Sequence, residues 1–181
     1  MIVAMVWGRG RWRAVHGIAE LEALLARLAL ISTGPHVVGL YPPRFLEPDF
    51  RPVNVRTSPS LQLGIGHPVR GFLYWTGPVS SLGYEPELPP WPDGESMIEF
   101  DYGGDPLVCG PTLTRVTAGA VRDSALEYAA TGERPTRVRW RDDQPAKPRP
   151  DQALPASALP ARHSGARTDQ TSMSCRFPRY G

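Results

Sequence analysis

Prolines constrain this chain more than any other feature. There are 21 of them in 181 residues, against roughly 5 % in an average sequence, and they recur from Pro35 to Pro178. Each holds φ at about −65° and removes a backbone N–H donor. A chain punctuated in this way builds short elements joined by many loops. Hydrophobic residues make up 41 % of it, which is enough for a buried core, and the length suits one domain.

Between the prolines the pattern reads as strands and two helices. Ile2–Trp7 is a strand, residues 8–11 are a turn, and Trp12–His16 is a return strand. Ile18 to Ile31 is the clearest helix, with Ile18, Leu21, Leu25 and Leu28 at helical spacing and Gly34-Pro35 as its stop. His36–Tyr41 is a short strand, followed by a long proline-marked connection. Leu61–Ile65 alternates apolar residues with Gln62 and Gly64, so it reads as a half-buried strand with a small residue facing out. Val69–Trp75 is apolar on both faces apart from Arg70 and Gly71, the pattern of a central strand. Residues 77–92 read as loop, and Ser96–Tyr102 as an alternating strand with Glu99 and Asp101 on its polar side. Thr117 caps a helix over Ala118–Thr131, Gly132 ends it, and Val138–Trp140 is a last short strand. Trp75, Trp140 and Tyr128 read as core.

The resulting class is α+β: a largely antiparallel sheet of six to seven short strands with both helices on one face. The expected domain is 1–142. The tail, 143–181, has six prolines after Trp140 and no Val or Ile, too little to offset its ordering entropy, so disorder is expected there.

The formal net charge of +2 hides a split. Residues 1–140 hold 13 Arg and 14 acidic residues, a net of −1, and residues 141–181 hold 7 basic and 4 acidic residues, a net of +3. The basic excess belongs to the tail, so the domain lacks a basic face for nucleic acid. The two cysteines, Cys109 and Cys175, make no disulfide framework and fit a reducing cytoplasm. The apolar run Ile2–Trp7 is too short for a signal peptide, and no stretch reads as a membrane span.

Chemistry-bearing motifs are weak. A phosphate-binding loop is absent, and Gly64-Ile65-Gly66 lacks the third glycine of a dinucleotide fingerprint. His16, His36, His67 and His163 are far apart, without zinc-ligand spacing. Asp101 and Asp105 bracket a Gly-Gly turn that explains them better than a cation does. Cys109 with His67 is a nominal nucleophile and base, with a small half-buried thiol as the plainer reading. The expectation is a binding protein without cofactor or metal. The alternatives are a small enzyme using Cys109 and His67, or a nucleic-acid-binding regulator using the basic tail.

One charge feature is informative. Between Arg70 and Arg115 there is no basic residue, while the same stretch holds seven acidic ones: Glu85, Glu87, Asp93, Glu95, Glu99, Asp101 and Asp105. Trp75, Tyr84, Trp91 and Tyr102 are interleaved with them. An acidic face with aromatic anchors suits a cationic protein partner and repels nucleic acid. The plainer reading is an ordinary solvated surface. The candidate contact residues are Tyr84, Glu85, Glu87, Trp91, Asp93, Glu95, Glu99, Asp101 and Asp105.

Three segments carry a family resemblance: residues 64–77 (GIGHPVRGFLYWTG), 98–104 (IEFDYGG) and 127–140 (EYAATGERPTRVRW). In this order and spacing they resemble immunity protein family one, whose members are encoded beside bacterial polymorphic toxins. The resemblance covers most of residues 1–140 and none of the tail. It implies no catalytic residue. It implies a partner, the cognate toxin domain, often a nucleic-acid deaminase, which such a protein binds and blocks.

Overall fold

Short runs in which aliphatic and aromatic residues alternate with small or polar ones fit a pleated sheet, and a sheet dominates the architecture. The computed structural model describes residues 2–8, 11–31, 34–47, 59–88 and 97–143. In chain order these form β1 (Val3–Trp7), β2 (Arg11–Val15), α1 (Ile18–Ala29), β3 (His36–Tyr41), β4 (Ser60–Ile65), β5 (Arg70–Thr76), β6 (Ser81–Tyr84), β7 (Ile98–Tyr102), β8 (Asp105–Cys109), β9 (Val116–Thr117), α2 (Ala118–Thr131) and β10 (Arg139–Asp142). A 3-10 turn, Pro43–Leu46, follows β3. The α+β class is as expected. Among the described residues, however, the sheet has ten strands, because β6 falls in the stretch expected to be loop and β8 and β9 fall where no element was expected.

The main path runs β10-β6-β5-β4-β3-β1-β2, and its neighbours are antiparallel. One face carries both helices. Leu21, Leu25 and Leu28 of α1 and Val121, Ala125, Tyr128 and Ala129 of α2 pack on Met5, Val38, Leu40, Leu61, Leu63, Leu73 and Trp75. Tyr128 meets Trp75 edge to face at 6.0 Å and donates its hydroxyl to the Pro59 carbonyl at 3.0 Å. Burial pushes that hydroxyl's pKa well above its ordinary value.

Local chemistry sets the helix ends. At the start of α1, Gly17 offers no side-chain cap, and Glu20 reaches back to accept the His16 N–H at 2.9 Å. Thr117 caps α2 by accepting the Ala120 N–H at 3.2 Å, worth about 1 kcal/mol. Gly132 closes α2 at φ 73°, a left-handed turn that glycine adopts without strain.

The second face was expected to show Gly64 outward to solvent. It is buried instead. β7 and β8 form a hairpin whose inner residues Ile98, Phe100, Leu107 and Cys109 join Val37 and Phe72 in a second apolar cluster. Phe72 and Phe100 meet edge to face at 5.1 Å, above Gly64, where a Cβ would come within 2.6 Å of both rings. β5 is therefore packed on both sides, as its composition indicates. β7 does not extend the β4-β5-β6 meander. It meets the sheet at one parallel bridge, His36 to Asp101, with the Asp101 N–H on the Pro35 carbonyl at 2.7 Å.

Candidate partner-binding surface

The acidic stretch divides by what each carboxylate touches. Glu85 follows β6, and its Oε2 accepts the backbone N–H of Thr117, the residue that caps α2. Its own N–H binds the Arg115 carbonyl at 2.9 Å. Asp101 accepts the Gly104 N–H across the β7–β8 turn, and its other oxygen lies 3.6 Å from Nδ1 of the buried His36. Both carboxylates hold loops in place. Glu87, Glu99 and Asp105 are exposed. Glu99 points outward because its neighbours Ile98 and Phe100 point inward. Tyr84 is half-buried at the end of β6. Trp91, Asp93 and Glu95 lie outside the described residues. Glu99, Asp101 and Asp105 thus share the hairpin, whereas Tyr84, Glu85 and Glu87 sit at the end of β6.

The segments of the family resemblance have structural work to do. In 127–140, the Glu127 carboxylate accepts both the N–H and the hydroxyl of Thr136, at 2.8 and 2.7 Å. Burial pushes the Glu127 pKa up, but the Thr136 hydrogen bonds, with help from Arg137, hold it below the usual carboxylate range. Trp140 donates Nε1–H to the Pro135 carbonyl at 2.7 Å and carries Arg134 5.7 Å above its ring. These contacts tie the end of α2 to β10. In 64–77, Gly71 sits where a Cβ would come within 2.4 Å of the Gly64 carbonyl oxygen. His67 Nδ1 accepts the N–H groups of Val69 and Arg70 at 3.3 and 3.0 Å, closing the β4–β5 turn.

The sequence expectation of a half-buried thiol at Cys109 needs correction. It is 1 % exposed, inside the second apolar cluster, and offers a substrate no open surface. Among the described residues no group of His, Cys, Asp and Glu could hold a metal ion, and no helix is long and apolar enough to cross a membrane. The basic tail lies outside the described residues. Sequence reasoning also passed over Trp12. It is 61 % exposed on the end strand β2, and its flanking Arg11 and Arg13 were the available sign of an exposed strand.

The family model of immunity protein Imm1 matches residues 9–142. The chain belongs to the Imm1 family of immunity proteins. No curated protein matches it. The match spans both helices and nearly all of the sheet, from the residues just before β2 to the end of β10. An Imm1 protein has an immunity role, which implies a cognate toxin as its partner and binding rather than turnover as its action.

Proposed function

We propose that this chain acts in the cytoplasm as the stoichiometric inhibitor of a toxin from a bacterial polymorphic-toxin system, and that the toxin is a nucleic-acid deaminase. The observation that carries the reading is the Imm1 match across residues 9–142. The exposed carboxylates Glu87, Glu99 and Asp105, with Tyr84 beside Glu87, support a cationic partner surface. A deaminase must admit a flipped or single-stranded base to a buried zinc pocket, and its approach to nucleic acid favours positive charge. A protein seated over that entrance excludes substrate without any chemistry of its own. Glu85 and Asp101 contribute indirectly, by holding the loops that carry the exposed carboxylates. Trp91, Asp93 and Glu95 extend the same acidic stretch in sequence and belong to the proposed contact set.

The test mixes the full chain with the toxin domain encoded beside it, measures the complex by light scattering, and assays deamination of single-stranded DNA and RNA. The expected result is a one-to-one complex without deaminase activity. Reversing Glu99 and Asp105 together to Lys is expected to slow association and to reduce its dependence on salt. A toxin that stays active at saturating concentrations of this chain would overturn the reading.

A further inference from the structure

Among the described residues the main sheet path ends on β2 at one side and on β10 at the other, each paired with a single neighbour. An end strand directs alternate N–H and C=O groups outward, a template for one more strand. The two ends differ. On β10, Trp140 is turned onto the Pro135 carbonyl and Arg141 is tied to the Thr112 carbonyl. On β2, Arg11, Trp12 and Arg13 are all exposed. Arg11 and Arg13 stand opposite Trp7 and Met5, on the side of the sheet that carries the helices. Trp12 stands opposite Val6 and projects to the other side, 61 % exposed.

Charge says what this edge is suited to meet. Before Glu20 the chain holds three arginines and one histidine and no acidic residue. Arg13 is paired with Glu20 at 2.7 Å, whereas Arg11 makes no ion pair among the described residues. Two copies of β2 laid edge to edge would set arginine against arginine, which like-charge repulsion disfavours. An acidic strand meets the opposite sign. The far end of β2 adds a second contact. Val15 lines an apolar hollow of about 220 Å³ with Val3, Gly17, Ile18, Ala129 and Ala130, between the start of α1 and the end of α2. Gly17, Ile18 and Ala130 are exposed at its rim. A cavity of ~150 Å³ holds benzene, so the hollow accommodates a leucine or phenylalanine side chain. An open edge for main-chain hydrogen bonds beside a pocket for one side chain is the arrangement by which sheets capture extended segments.

We propose that the outer edge of β2 takes an extended acidic segment of the toxin as an added strand, with a carboxylate at Arg11 and an apolar side chain in the hollow beside Val15. The proposal rests on the immunity reading above and adds a second contact, distinct from the acidic contact set. Hydrogen exchange read by mass spectrometry tests it, on the full chain alone and in complex with the toxin domain. Amides of residues 11–15 that face outward are expected to exchange at least about tenfold more slowly in the complex. Arg11→Glu and Ala130→Phe, each in the full chain, remove the charge and fill the hollow from its rim. Both positions are exposed, so neither change is expected to move Tm by more than about 3 °C. Both are expected to weaken Kd at least about tenfold in calorimetric titration. Unchanged exchange in the complex, or a Kd within about twofold for either variant, would overturn β2 as the receiving edge, while the pairing itself would stand. Absence of any complex with the unaltered chain would overturn the immunity pairing, and this inference with it.

Discussion

Gly71→Ala is the sharpest test of the packing described above. Gly71 lies on β5 with ordinary strand geometry, so backbone freedom does not explain it. Space does: a Cβ there would come within 2.4 Å of the Gly64 carbonyl oxygen and 2.8 Å of Val121 Cγ2. The valine could yield by changing rotamer. The carbonyl oxygen belongs to β4, where Gly64 is in register with Phe72, and it moves only if the β4–β5 ladder moves. Overpacking costs about 1–3 kcal/mol where side chains can adjust, so a backbone clash falls at the upper end, about 3 kcal/mol. Unfolding entropy of about 2.1 cal/mol/K per residue over roughly 140 residues gives about 0.3 kcal/mol/K, and the expected fall in Tm is about 10 °C. Gly119→Ala is the matched control. It lies exposed in the first turn of α2, with nothing within 4 Å of its added Cβ. Both changes remove similar backbone freedom from the unfolded chain. Gly119→Ala also gains helix propensity and is expected to raise Tm by about 2 °C. Thermal melts followed by tryptophan fluorescence read both. A Gly71→Ala variant that melts within about 3 °C of the unaltered chain would refute the close approach of β5 to β4.

Two further outcomes are expected. The folded-state pKa of Glu127 is lowered, so its stabilising contribution is present above the unfolded value of 4.5 and is lost as pH falls through the lower folded value. Glu127→Gln should therefore cost about 1 kcal/mol at pH 7 in urea unfolding, with a gap to the unaltered chain that narrows toward pH 3; a gap independent of pH would refute the assignment. Deleting residues 145–181 should leave toxin binding within about twofold and Tm within about 2 °C, and a large loss of either would show that the tail contributes.

The helices were legible because the prolines leave room for them. Residues 1–34 precede the first proline, and residues 112–134 lie between Pro111 and Pro135. α1 and α2 occupy those two runs, with a Thr cap and a Gly stop to mark the second. The missed strands lack local signals. β6 is four residues between Pro78 and Pro86, held by β5 and β10 on its two sides. β8 opens on Asp105-Pro106, a pair unfavourable to strands in general but tolerated at an edge. Gly64 looked outward because the hairpin that covers it comes more than thirty residues later. The acidic stretch was legible as a composition but not as a surface. Glu85 meets Thr117 and Asp101 meets His36, and separations of that size leave no trace in a linear count of charges.

The same contrast separates what identifies this chain from what gives it a partner. The segments that carry the family resemblance contain Gly71, wedged against β4, Glu127 on Thr136, and Trp140 on Pro135. Each is committed to a turn, a close approach or a helix end. Residues so committed cannot vary with the toxin, because changing them alters the frame. Discrimination between one toxin and another must then fall to side chains the frame leaves unused, and Trp12, Glu87, Glu99 and Asp105 are of that kind. Exchanging these four exposed positions between two Imm1 proteins should move toxin preference without moving Tm, whereas replacing Glu127 or Trp140 by Ala should lower Tm without moving preference.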